Sequence, residues 1–129
     1  MKLDGVMIWV PDVPATAAFY EKAFGLSVQM MDDAKQFAMM DTGATTLQFA
    51  DERAATATGV SVRPNRPHEQ AAASQLAFVA DDVHAAYDTA VAAGAVAEVV
   101  PLQKPWGQTL GYLRDLNGCL IELSSPAAW

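Results

Sequence analysis

The sequence predicts an α+β fold of two tandem βαβββ modules, their strands forming a curved mixed sheet with the helices outside. Three observations lead there. Val10-Pro11-Asp12 and Val79-Ala80-Asp81 each close an apolar extended stretch, and the two aspartates lie 69 positions apart. Gly25 and Gly94 each stop a helical run and are again 69 positions apart. Each stop is followed by three short extended stretches. Neither half can bury both faces of a sheet alone, so two halves side by side leave a concave face, a common place for a ligand.

The first half opens with LDGVMIWV, a strand rich in Val, Ile and Trp. In PDVPATAAFYEKAFG, Asp12 caps a helix and Pro14 fits its first turn. Val13, Ala17, Tyr20 and Phe24 recur at helical spacing until Gly25. The stretches LSVQMM, QFAMMD and TTLQFAD read as strands, with Asp41, Thr42 and Gly43 turning between the last two. The second half repeats the plan. SQLAFVA is a strand. DDVHAAYDTAVAAG is a helix capped by Asp81 or Asp82, with Val83, Tyr87, Ala90 and Val91 as its apolar face. AVAEVV, TLGYLRD and CLIELSS follow as strands, the last preceded by the turn residues Asn117 and Gly118. The modules are thus 1–50 and 75–129, joined by a connector, 51–74, whose early part suits a short helix and whose RPNRPH stretch suits a loop.

The length of 129 residues suits one domain, or two small halves sharing a core. Apolar residues make up 52%, much of it alanine, which implies a core of modest side-chain volume. Eight basic against 15 acidic residues give a net charge of −7, with no basic cluster. That argues against nucleic acid and anionic membrane as partners, and favours a cation if charge guides a ligand. The single cysteine, Cys119, excludes an intramolecular disulfide and a CxxC metal site. No stretch approaches ~20 apolar residues, and the start lacks the apolar run of a leader. The expected location is the cytoplasm.

Three blocks carry a resemblance: VPDVPATAAFYEKAFGL, FVADDVHAAYDTAVAAGA and PWGQTLGYLRDLNGCLIEL. Their order resembles the vicinal oxygen chelate superfamily, which holds glyoxalase I, bleomycin-resistance proteins and extradiol dioxygenases. The likeness spans essentially the whole chain. In metal-using relatives the first and last strands of each module supply ligands to the concave face. The resemblance puts those positions on Gly5, Gln48, Gln75 and Glu122. Glycine has no ligating side chain and an amide oxygen is a weak ligand, so the set is too poor for a divalent transition ion. The expectation is no metal and no cofactor. His68, in the connector, and His84, on the second helix, are expected at the surface.

Strand alternation extends this placement. With position 5 inward, Met7 and Trp9 also face in, as do Thr46, Gln48, Ala50, Gln75, Ala77, Val79, Leu120, Glu122 and Ser124. The opposite set, Val6, Ile8, Leu47, Phe49, Leu76, Phe78, Ile121 and Leu123, is expected to pack under the helices. Gln48 and Gln75 are expected to donate amide hydrogens to Glu122. Trp9 adds an aromatic wall, and Trp106, in KPWG, is placed at the rim, both suited to a planar or cationic ligand. Met30, Met31, Met39 and Met40 read either as a soft wall or as ordinary packing. Arg114 is expected to pair with Asp115 or another acid.

The resulting expectation is a metal-independent binding protein similar to bleomycin-resistance proteins, holding a planar small molecule, cationic or neutral, through Met7, Trp9, Gln48, Gln75, Trp106 and Glu122. Two alternatives stand beside it. One is a metal-dependent lyase, isomerase or dioxygenase around Glu122, with metal-free general-base catalysis by Glu122 as its variant. The other is a closed domain serving only assembly, Trp129 packing across an interface. The resemblance also implies a homodimer.

Overall fold

The computed structural model describes residues 1–127, so Trp129 lies outside the described residues. The chain divides into two compact units, Met1–Pro64 and Asn65–Trp129. Each unit holds one βαβββ module and one four-stranded mixed sheet, so the fold is α+β with tandem modules.

The first unit comprises β1 (Gly5–Val10), α1 (Val13–Phe24), β2 (Ser27–Met31), β3 (Phe37–Asp41) and β4 (Thr46–Asp51), in the order β1-β4-β3-β2. The β1–β4 pair is parallel and the other two are antiparallel. The parallel pair follows from the crossover helix α1. Asp12 caps that helix, its carboxylate accepting from the Ala15 N–H at 3.0 Å. Gly25 ends it in the left-handed region at φ 69°, and its N–H reaches the Glu21 carbonyl. Tyr20 carries the helix onto the sheet, its ring 4.9 Å from that of Phe49, and both are fully buried. A 3₁₀ helix, Glu52–Thr58, follows β4.

The second unit comprises β5 (Gln75–Val79), α2 (Val83–Ala92), β6 (Val96–Gln103), β7 (Thr109–Arg114) and β8 (Leu120–Ser124), in the order β5-β8-β7-β6. Asp82, not Asp81, is the cap of α2, accepting from Ala85 N–H at 3.0 Å. The α2 face of Val83, Tyr87 and Ala90 is buried with Leu113, Ile121 and Leu123 of the sheet. Among the described residues, no helix is long and apolar enough to cross a membrane.

Two expectations about the strands need correction. The strand AVAEVV does not stop before Pro101 but runs to Gln103. As an edge strand it tolerates a residue without an N–H, and its pairing with β7 is irregular on both sides of Val99. Gly111 makes room for this path: a β-carbon there would meet the Pro101 nitrogen and the Val99 carbonyl at 2.9 Å. The set expected under the helices is buried only in part. Leu47, Phe49, Ile121 and Leu123 are buried, but Ile8, Leu76 and Phe78 are half-buried and Val6 is 42% exposed. The helices lie mainly across the three antiparallel strands of each sheet, which leaves the edge strands β1 and β5 thinly covered.

Candidate functional site

The helix-free face of the first sheet is built from two rungs. Opposed residues on neighbouring strands point to the same face. Met30, Met39, Gln48 and Met7 form one rung across all four strands, and Phe37, Ala50 and Trp9 form the next. Gln48, Met39, Phe37 and Trp9 are half-buried, whereas Met7 and Met30 are about two-fifths exposed, at 40% and 42%. The four methionines therefore separate. Met40 is fully buried beside Leu47 on the helix side, and Met31 pairs with Ala38 on that side. Only Met30 and Met39 join the open face.

Gly5 stands at the end of this face, opposite Thr46. A β-carbon on it would lie 2.5 Å from Thr46 Oγ1 and 2.6 Å from Gln48 Nε2. Those two atoms are bonded to each other, Gln48 Nε2 donating to Thr46 Oγ1 at 2.8 Å, and the Thr46 hydroxyl donates to the Asp4 carbonyl at 3.3 Å. Gln48 thus directs one of its two amide hydrogens at Thr46.

On the second sheet the corresponding rung is Ala77, Glu122, Tyr112 and Val99. Tyr112 donates its phenol hydrogen to Glu122 Oε1 at 3.2 Å, and both side chains are half-buried. Gln75 is exposed opposite Leu120 and makes no hydrogen bond to Glu122. On this sheet the carboxylate's partner is a phenol: Tyr112 stands directly opposite Glu122 in the antiparallel β7–β8 pair, whereas Gln75 lies two residues along on the parallel neighbour β5. Burial, and then the charge and hydrogen bond of Glu122, push the Tyr112 phenol above its ordinary value. It stays a donor throughout the neutral range. Tyr112 was missed in the sequence although a signal existed: counting back through the Asn117-Gly118 turn sets it opposite Glu122.

Other expected residues fall into different roles. Trp106 is 54% exposed on the β6–β7 turn, its indole N–H donating to Gln108 Oε1 at 3.0 Å. Gln108 in turn donates to the Ser125 carbonyl at 2.9 Å. Arg114 pairs with Glu98 at 3.1 Å rather than with Asp115, whose carboxylate accepts from the N–H groups of Asn117 and Cys119 within the turn. The same guanidinium donates to the carbonyls of Gly118, Glu69 and Arg66, at 2.6, 2.7 and 3.4 Å. It docks the end of the connector on the β7–β8 hairpin. His68, inside that docked turn, and His84 are exposed.

The repeated βαβββ plan, with a parallel pair and two antiparallel pairs in each sheet, defines the class of protein to which the chain is to be compared. Residues 2–123 match the Glyoxalase/Bleomycin resistance protein/Dioxygenase superfamily, and the chain belongs to it. The uncharacterized protein YraH of Bacillus subtilis (strain 168) is 24% identical over 124 residues, which cover 95% of this chain and 97% of that one. A glyoxalase-related enzyme from Fulvimarina pelagi superposes with a TM-score of 0.80 at 22% identity, over 98% of this chain and 88% of that one. Lactoylglutathione lyase from Agrobacterium tumefaciens does so with a TM-score of 0.70 at 23% identity, over 99% and 96%. At such identities the structural likeness shows the fold, and function rests on the site.

Metal-using members of this superfamily need several anionic or imidazole donors. The residues here do not fit that group. The four positions that the resemblance assigns to ligands hold one carboxylate, Glu122, and a side chain at position 5 would meet Thr46 and Gln48. Among the described residues, no three His, Cys, Asp or Glu side chains are placed to hold an ion.

Proposed function

We propose that this chain is a metal-independent small-molecule binding protein acting in the cytoplasm, similar in role to bleomycin-resistance proteins. Its ligand is a planar compound carrying positive charge. One observation supports this reading above the others: Gly5 gives its side-chain space to the Thr46–Gln48 pair, so Glu122 stands as the lone acid of the four positions. The remaining groups suit sequestration. Within the first unit, Trp9, Phe37 and the methionine rung offer a flat, polarizable surface; within the second, Glu122 offers a charge. In this reading Met7 and Gln48 contribute from the first unit, and Gln75 and Trp106 from the second. Self-association into a homodimer belongs to this reading and rests on the family resemblance; light scattering tests it.

Two measurements decide the matter. Elemental analysis of the purified protein is expected to find no stoichiometric Zn, Ni, Mn or Fe. Calorimetric titration with planar aromatic cations is expected to give saturable binding, lost in Glu122→Gln. A stoichiometric transition metal would instead support the lyase, isomerase or dioxygenase reading around Glu122.

A further inference from the structure

A cavity of about 410 Å³ opens at the end of the first sheet, where Val10 and Asp51 close the parallel β1–β4 pair and α1 begins. Its size falls in the range of about 300–1,000 Å³ usual for small-molecule sites. Asp51 continues the alternation of Leu47 and Phe49, so its side chain lies on the helix side of the sheet. The cavity is therefore separate from the open face that carries Trp9 and Gln48. Its polar groups come from Asp12, Lys35, Gln36, Asp51 and Arg53.

These groups are held in place. The buried Asp51 carboxylate accepts from Arg53 Nε at 3.0 Å and from Nη2 at 2.6 Å, which fixes the guanidinium and leaves Nη1 open. The Asp51 N–H donates to the Gln36 carbonyl at 2.9 Å, joining β4 to the turn that carries Lys35. Asp32 ties that turn down, its carboxylate accepting from the N–H groups of Gln36 and Phe37 and its carbonyl from the Lys35 N–H. Lys35 adopts φ 59° and is the only non-glycine residue at positive φ among the described residues. Glycine or asparagine would take that conformation at less cost, so the turn alone does not account for a lysine.

Asp51 and Arg53 neutralise each other. Asp12 and Lys35 remain, one negative charge and one positive. Asp12 accepts the Ala15 N–H on Oδ1 and keeps Oδ2. Among the described residues, neither that oxygen nor the Lys35 ammonium has a protein partner. The first turn of α1 supplies no donor of its own, because Asp12 already accepts from the N–H groups of Ala15 and Thr16. A bare anion would gain Lys35 and Arg53 but face the Asp12 charge. A bare cation would gain Asp12 but face two positive groups. A ligand carrying both charges on neighbouring atoms satisfies all three. We propose that this cavity is a second binding site, taking a small zwitterion of the α-amino carboxylate class. Its carboxylate lies on Lys35 and Arg53 Nη1, and its ammonium on Asp12. The site is independent of the Glu122 face and of the reading given to it.

The test uses the intact chain and three matched probes: L-alanine, propionate, which lacks the ammonium, and ethylammonium, which lacks the carboxylate. Amide chemical shifts are followed by NMR at neutral pH. L-alanine is expected to shift the amides of Gln36 and Arg53 saturably, and the two single-charge probes to bind about tenfold or more weakly. Asp12→Asn keeps a helix cap and removes the charge. It is expected to weaken L-alanine several-fold and to strengthen propionate, so the preference narrows or reverses. Lys35→Gly relieves the backbone conformation. It is expected to hold or raise the melting temperature while weakening L-alanine several-fold; a lysine serving the turn alone would leave the titration unchanged. No shift at Gln36 and Arg53 with L-alanine overturns the proposal. So does equal binding of propionate by the wild type, or an unchanged L-alanine affinity in either variant. Each of these results leaves the Glu122 reading where it stands.

Discussion

The α-hydrogen side of Gly5 faces the Thr46 hydroxyl so closely that a methyl group there would sit 2.5 Å from Oγ1. In an ordinary strand, replacing glycine by alanine stabilises by roughly 0.5–1 kcal/mol. Here the sign should reverse. Gly5→Ala is expected to lower stability by about 1–3 kcal/mol, the usual range for forced overpacking. Adding Thr46→Ala, which removes Oγ1, should recover part of that loss. Chemical denaturation of the two single variants and the double variant reads the coupling. Independent, additive effects would mean the close approach has been misjudged.

Arg114 joins hairpin and connector through three carbonyls and Glu98. Arg114→Met should leave those carbonyls short of a donor and cost about 2–4 kcal/mol. Proteolysis is expected to begin in the connector near Arg66–Glu69. Glu98→Gln should cost about 1 kcal/mol or less, since the Glu98 side chain is 42% exposed and solvent screens the pair. Equal losses in the two variants would show that the ion pair, not the carbonyl docking, carries the effect.

Gly118 offers a second view of the same junction. It adopts φ 94°, and a β-carbon there would collide with the Arg66 carbonyl. Gly118→Ala is expected to lower the melting temperature and to release the connector turn, visible as faster amide exchange over residues 65–70. Unchanged exchange there would contradict the docking.

Asp51 is buried, and the Arg53 guanidinium holds it at 3.0 and 2.6 Å. That hydrogen bonding, first among the causes, lowers the Asp51 carboxyl from 3.8 to about 2. The sign follows: a depressed carboxyl stabilises the fold at pH above about 4 and loses that contribution as pH falls toward about 2. The Arg53 side chain is 82% exposed, so salt should weaken the effect. Arg53→Gln is expected to move the acid-unfolding midpoint to higher pH, followed by circular dichroism. An unmoved midpoint would assign acid unfolding to other carboxylates.

Cys119 is buried, and desolvation, helped by the Asp115 charge, pushes its thiol up to about 12. A thiol that weakly acidic is almost wholly protonated at pH 8 and is a poor nucleophile. Alkylation by iodoacetamide should therefore be slow in the native protein and rapid in denaturant. Fast native labelling would show that the β8 end opens readily.

Much of this molecule was legible in its residues because the relevant signals are local. Asp12, Gly25 and the helical spacing of Ala17, Tyr20 and Phe24 mark α1 whatever surrounds it. The period of two in TTLQFAD separates Leu47 and Phe49 from Thr46 and Gln48, and the structure keeps that separation. The expected stretch AVAEVV ends before Pro101, yet β6 continues through it, since a residue that breaks a central strand is tolerated at an edge, and edge position is a property of the assembled sheet.

The sequence by itself determined the two βαβββ modules and their order, and the alternation that separates Leu47 and Phe49 from Thr46 and Gln48. Backbone sterics and side-chain period dictate these locally. Only the tertiary structure decided who meets whom: Glu122 with Tyr112, Gln48 with Thr46, and Arg114 with the connector carbonyls. Those pairings depend on cross-strand register and on the path of a loop far away in the chain, and no local propensity encodes either.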